Sequence, residues 1–227
     1  MFSSDDIKKK LGYAAAGYVV NGMTIGAGTG TTAYWFLQAL AERIREGLQV
    51  VAVPTSAQTA RVLQEQGVPM KDLNEVDSID LVIDGADEID PGFHLIKGGG
   101  AAHLQEKMVA AAARSMLVLA DESKLVNQLG RFPLPVEVIP CGSRQVGKKI
   151  KEKYGIEAAL RIKDGKPVVT DHGHHILDCS FGRIEHLHAV HAWINQVPGV
   201  VENGLFLGYA TATLIGYKNG SLLYTEK

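Results

Sequence analysis

Met23-Thr24-Ile25-Gly26-Ala27-Gly28-Thr29-Gly30-Thr31-Thr32-Ala33 reads as a short apolar strand that runs into a glycine-rich turn. From Ala33 to Arg45 the apolar residues fall at the 3.6-residue spacing of a helix, completing a strand, loop, helix unit. The unit recurs downstream. Gln49 to Val53 predicts a strand, Ala57 to Gln66 a helix, Ile79 to Asp84 a strand, Ala101 to Arg114 a helix and Met116 to Ala120 a strand. Such alternation predicts an α/β fold built on a mainly parallel, Rossmann-like sheet with helices on both faces. A further helix, from Ser3 or Ser4 to about Tyr18, precedes it, with Asp5 and Asp6 suited to its positive end.

The alternation stops at Arg131-Phe132-Pro133-Leu134-Pro135, where two prolines mark a domain crossing. Beyond it, strands at Val136 to Ile139, Ala158 to Ile162 and Val168 to Thr170 and helices at Arg144 to Tyr154 and Ile184 to Val197 predict a smaller α+β domain. The strands Ala210 to Ile215 and Leu222 to Thr225 are expected to return to the first sheet. The predicted division is therefore 1–130 plus 206–227 for the catalytic domain and 131–205 for an inserted α+β domain.

The 227 residues are 46% hydrophobic, enough to fill a substantial core, and the net charge of -2 argues against a broad basic face for nucleic acid or an anionic membrane. Two cysteines, Cys141 and Cys179, form no Cys-x-x-Cys pair and fit a reducing compartment. No apolar run approaches the roughly 20 residues of a membrane span, and the acidic start lacks the pattern of a signal peptide, so a cytoplasmic protein is expected.

Three turns carry chemistry. In Gly26 to Thr32, backbone amides can approach an anion and the helix that follows adds its positive end, while Thr29, Thr31 and Thr32 add hydroxyls. It lacks the Gly-Lys-Ser/Thr ending of a Walker loop and the third glycine of the dinucleotide fingerprint, so it reads as a phosphate cradle or as a plain structural turn. Asp84-Gly85-Ala86-Asp87-Glu88-Ile89-Asp90 crowds four acids after an apolar strand. Hard cations take such clusters, but the calcium-loop pattern is absent. Asp84 and Asp87 are read as hydroxyl-binding, acid/base groups, and Glu88 and Asp90 as structural. In Lys97-Gly98-Gly99-Gly100, consecutive amides can hold a developing oxyanion whose charge Lys97 offsets. Glu106 then falls in the second turn of the predicted helix, although spacing alone favours a surface glutamate paired with Lys107. Lys124, after the strand Met116 to Ala120, and Lys8, on the first helix, are phosphate partners if they reach the same cleft. His172, His174, His175, His186, His188 and His191 invite a metal reading, but three or four must converge for zinc, and His172 to His175 look like a hairpin; no metal and no cofactor are expected.

Taken together, Gly28 to Thr32, Asp84 to Glu88, Lys97 to Ala102, Glu106-Lys107, Asp121-x-Ser123-Lys124 and Gly130-x-Phe132 through Pro140 closely resemble the ribose-5-phosphate isomerase A family, over essentially the whole chain. The resemblance implies metal-independent interconversion of ribose 5-phosphate and ribulose 5-phosphate through a cis-enediolate, within the pentose phosphate pathway. It makes Glu106 the base and assigns Asp84 and Asp87, with the intervening Gly85 and Ala86, to the sugar hydroxyls and ring opening. Lys97 with Gly98, Gly99 and Gly100 falls to the sugar oxygens and enediolate charge, and Lys8, Thr29, Gly30, Thr31, Thr32 and Lys124 to the phosphate. A homodimer or homotetramer is implied as well. Thr31 stands where many relatives have serine, and the histidine-rich stretch matches no motif of the family. The alternatives are a non-catalytic sugar-phosphate sensor, disfavoured because Asp84, Asp87 and Glu106 are all present without a helix-turn-helix, and a sugar-phosphate deaminase or a CoA-transferase-like enzyme.

Overall fold

The structure, a computed structural model, describes residues 2–227. Its elements in chain order are α1 (Ser4–Ala16), β1 (Thr24–Ala27), α2 (Thr31–Arg45), β2 (Val51–Pro54), α3 (Ala57–Glu65), β3 (Leu81–Gly85), β4 (Glu88–Ile89), β5 (Leu95–Ile96), α4 (His103–Ala111), β6 (Met116–Asp121) and β7 (Leu134–Val138). They continue as α5 (Ser143–Tyr154), β8 (Ala158–Leu160), β9 (Ile162–Lys163), β10 (Lys166–Pro167), β11 (His175–Cys179), α6 (Leu187–Asn195), β12 (Val200–Asn203), β13 (Leu205–Phe206), β14 (Ala212–Gly216) and β15 (Leu222–Glu226). Short 3-10 turns occupy Leu73–Glu75 and Glu122–Lys124.

Two compact units emerge: the described residues up to 86, with 105–125 and 208–227, form the first, and 87–104 with 126–207 form the second. The segments 87–104, 126–130 and 206–207, grouped with the first domain by sequence, thus cluster with the second.

The first unit holds a six-stranded sheet in the order β15-β14-β6-β3-β1-β2. β14 lies parallel to β6 and β15 antiparallel to β14, so the C-terminal segment does return to this sheet. Its core joins α1, α2 and α3 to the strands through Leu11, Ile25, Phe36, Leu40, Leu63 and Ile83, all fully buried. Ser3 caps α1 by accepting from Asp6 N while the Asp6 side chain accepts from Ser3 N, a reciprocal arrangement that satisfies two backbone amides the helix leaves open.

The second unit has its own core, around Leu134, Val136, Ile150, Cys179 and Ile194. It contains a four-stranded antiparallel sheet, β12-β7-β11-β8, a three-stranded ribbon, β13-β5-β4, and the β9-β10 hairpin. The expected strand from Val168 to Thr170 is instead a single bridge, Val169 to His175, and the paired strands lie closer to the Lys163 to Lys166 turn. β11, unrecognised in the sequence, sits centrally between β7 and β8.

Candidate active site

In the first unit the glycine loop joins β1 to α2. Gly28 lies so close to β3 that a Cβ built on it would fall 2.4 Å from Asp84 Oδ1, so this position admits only glycine without a shift. Asp84, at 1% exposure, is thereby packed under the loop. Its Oδ1 accepts from the Thr29 amide at 3.1 Å and from the Gly85 amide at 2.7 Å, replacing water by charge-assisted bonds. The Thr29 hydroxyl meets the hydroxyls of Thr55, Ser56 and Thr59 at 2.8, 2.8 and 2.9 Å, so it buttresses the loop from within. That supporting cluster was not anticipated; its only sequence signal is the Thr55-Ser56 pair ahead of α3, where Ser56 also caps the helix through Thr59 N. Thr31 is exposed and Thr32 half-buried. Gly30, the N-cap of α2, offers no side-chain bond, so the first amides of α2 are left without a capping side chain.

β3 and β6 are parallel neighbours, so Asp84 and the 3-10 turn bearing Lys124 leave the sheet at the same, carboxyl end. Lys124 is half-buried there. Lys8, also half-buried, stands on α1 between two contacts with the start of α2: Trp35 Nε1 donates to Asp5 Oδ1 at 3.3 Å, and Gly12 abuts the Trp35 and Phe36 backbone.

Glu106 belongs to the first turn of α4, not the second, because the helix begins at His103 rather than Ala101. The cause is a tight turn: Ala101, with φ of 58°, donates its amide to Gly98 O at 3.0 Å and cannot join the helix. Glu106 is 5% exposed and Lys107 4%, so the surface-glutamate reading fails. Gln105 Nε2 donates to Pro54 O at 2.9 Å and Val109 packs on Gly26, which seats this helix on β1 and β2.

The second unit opens at Asp87, the residue after Ala86. Its Oδ2 accepts from Gly99 N at 2.8 Å, which ties the acidic turn to the triple glycine. Of the consecutive amides expected to face an oxyanion, Gly99's is therefore engaged by Asp87 and Ala101's by Gly98 O. Lys97 is 3% exposed, its ammonium 5.5 Å from the Phe206 ring centroid and its amide donating to Gly204 O. Gly98 has φ of +109°, a conformation open to glycine alone at little cost, and His103 Nδ1 lies 2.7 Å from where its Cβ would be. Glu88 and Asp90 are structural here: Glu88 is fully buried and accepts from the Gly130 and Phe132 amides at 2.7 Å each, and Asp90 accepts from the Gly92 and His94 amides at 2.9 Å each.

Arg161 is a residue that sequence reading missed. It reaches the triple-glycine turn from the end of β8, donating to Gly98 O at 2.7 Å and Gly99 O at 3.1 Å. No local motif marks it, since the partners are 62 and 63 residues apart. Among the histidines, His174 pairs with the buried Glu137 at 2.9 Å and His188 stacks edge-on against His94. Among the described residues, no group of three or more His, Cys, Asp and Glu is arranged to hold a metal ion.

The first unit thus holds the threonine loop, Asp84 and Glu106, and the second holds Asp87, Lys97 and the triple glycine. Known proteins are similar to this chain over nearly its whole length. The profile of the family described as ribose 5-phosphate isomerase A (phosphoriboisomerase A) matches residues 51–220. A ribose-5-phosphate isomerase A from Bacillus mycoides is 47% identical over 95% of this chain and 97% of its own, and one from Methanothermobacter thermautotrophicus is 46% identical over 95% and 96%. The solved ribose 5-phosphate isomerase A of Methanocaldococcus jannaschii superposes with a TM-score of 0.93 at 42% identity, covering 99% of this chain and 100% of that one. A solved D-ribose-5-phosphate isomerase in complex with phospho-erythronic acid reaches 0.95 at 36% identity, with both chains covered in full. With a matched profile over most of its length and relatives at this identity, the chain belongs to the ribose 5-phosphate isomerase A family.

Proposed function

We propose that this protein interconverts D-ribose 5-phosphate and D-ribulose 5-phosphate, with Glu106 as the base. The observation that carries the reading is a carboxylate at 5% exposure in the first turn of a helix that begins directly after the triple-glycine turn, in a chain of this family. Its chemistry follows from the weak acidity of a proton α to a carbonyl. Glu106 takes the proton from C2 of the open-chain aldose, the electron pair forms the C1=C2 bond, and O1 takes the negative charge. Lys97 and the Gly100 amide offset that charge as it develops, which lowers the barrier more than any ground-state contact would. Glu106 then returns the proton to C1, the O2 hydroxyl proton passes to O1, and C2 becomes the ketone. One carboxylate serves both steps because the two carbons are adjacent. Asp84 and Asp87, flanking Gly85 and Ala86, take the sugar hydroxyls and ring opening. The α2 amides with Gly30, Thr31, Thr32, Lys8 and Lys124 take the phosphate, on the Thr29-supported loop. A solved relative in complex with phospho-erythronic acid, a phosphorylated sugar acid, supports a small sugar phosphate as the ligand class.

We further read the protein as a homodimer or homotetramer in the pentose phosphate pathway, as the family resemblance implies, and as cytoplasmic, as expected from its sequence. No helix among the described residues is long and apolar enough to cross a membrane.

The test is proton exchange. In heavy water with chelator, the wild type is expected to convert ribose 5-phosphate and place deuterium at C1 of the ketose and C2 of the aldose, followed by proton NMR. Glu106→Gln is expected to lose about 10²–10⁴-fold in turnover, the range for a positioned base, while still binding the sugar phosphate. Near-normal exchange in that variant would assign the base elsewhere.

A further inference from the structure

We propose that Arg161 is a positioning residue for the enediolate-stabilising turn, aiming its amides from behind with Asp178 as its anchor; this rests on the proposed isomerase reading. The guanidinium uses two edges at once. One edge, Nε and Nη2, forms paired bonds with Asp178 Oδ2 at 2.9 Å and Oδ1 at 2.5 Å. The other, Nη1, collects the carbonyls of both Gly98 and Gly99. The sheet holds the arginine in place: Asp178 lies within β11 opposite Ala159 of β8, and the Arg161 amide donates to Ile176 O at 2.8 Å. Arg161 is only 15% exposed on its side chain, so a planar fork is locked between a carboxylate and two carbonyls.

Peptide planarity turns this clamp into an orientation device. In a trans peptide the N–H points opposite to the C=O of the same unit. With the Gly98 carbonyl on Arg161, the Gly99 N–H must point away from it, and it does so onto Asp87 Oδ2. With the Gly99 carbonyl on the same nitrogen, the Gly100 N–H is sent to that same far side, where no described protein group accepts from it. Three glycines in succession have no side chains to hold such a geometry, and Gly98 already occupies a positive φ, so the direction of the Gly100 donor depends on an outside clamp. Arg161 touches no substrate atom in this scheme; it acts through the turn.

The experiment compares Arg161→Ala, Arg161→Lys and Asp178→Asn with the wild type, in turnover of ribose 5-phosphate and in binding of phospho-erythronate and inorganic phosphate by calorimetry. Misaiming one oxyanion donor is expected to lower kcat about 10- to 100-fold, with KM and the phosphate Kd within about threefold. Phospho-erythronate Kd is expected to rise about tenfold, and millimolar guanidinium, far below denaturing levels, to restore part of the kcat of Arg161→Ala. Arg161→Lys, which reaches the carbonyls without the fork, should fall between. If Arg161→Ala does not fold, Arg161→Lys and Asp178→Asn decide by the same kcat-to-KM split. Variants with kcat within twofold of wild type, or with KM and phosphate binding lost in step with kcat, overturn the positioning role. A wild type that fails to isomerise ribose 5-phosphate overturns instead the functional reading beneath it.

Discussion

A carboxylate at 1% exposure needs donors in place of water, and Asp84 obtains them from the backbone of the loop that covers it. The cover is possible only because residue 28 has no Cβ. Gly28→Ala would bring a methyl 2.4 Å from Asp84 Oδ1, so either the carboxylate or the threonine loop must move. We expect a loss of about 1–3 kcal/mol in urea unfolding, the usual cost of overpacking, together with a clear fall in turnover. An unchanged midpoint with unchanged kcat would show that the loop yields without consequence. Arg161 is the contrasting residue. The sequence around it, Ala159-Leu160-Arg161-Ile162-Lys163, looks like an ordinary strand end, and its importance lies wholly in two carbonyls far away in the chain.

Among the elements, α2 is the one to which the proposed function assigns the phosphate. Its N-cap is a glycine, its first turn carries no acid, and Arg43 and Arg45 lie in its last turn, so the negative end is matched while the positive end is left open. Thr31→Asp separates helix stability from ligand binding. An acid at the first helical position should leave Tm unchanged or raise it slightly, by up to about 1 kcal/mol of stability. The same charge should repel the substrate phosphate and raise KM for ribose 5-phosphate by about tenfold or more, since like charges some 4 Å apart near a surface cost roughly 4 kcal/mol. A KM that does not rise would remove the phosphate from this helix. The long strand and helix pairs were readable because periodicity accumulates over their length. β4, β5 and β13, at two residues each, are too short to show any period, and β11 was hidden because its adjacent buried residues Ile176 and Leu177, set between His175 and Asp178, break the two-residue alternation.

At the scale of the molecule, each unit closes its own core, and the thiols report on that closure. Cys141 is exposed, whereas Cys179 is fully buried and its thiol is pushed up to about 12, first by desolvation and then by the nearby Asp178 charge. One thiol should therefore react with a disulfide reagent in the native protein and the second only on unfolding. Because the folded pKa is raised from 9.0 to about 12, the stability linked to Cys179 is present below pH 9 and lost as pH rises toward 12. Denaturant midpoints should fall across that alkaline window, and a Cys179→Ala variant should lose part of the slope. Two native thiols reacting at equal rates would contradict the buried placement.

The sequence by itself determined the alternation that makes a parallel sheet, the return of its last strands, and the three turns to whose glycines and acids the proposed chemistry is assigned, because all of these are local patterns of spacing and residue type. Tertiary structure decided the rest. That Glu106 is buried rather than solvated, that the Thr29 hydroxyl supports the loop, and that Arg161 orients Gly98 and Gly99 all depend on contacts between segments distant in the chain. Burial and hydrogen-bond direction are properties of such contacts, and no window along the chain contains both partners.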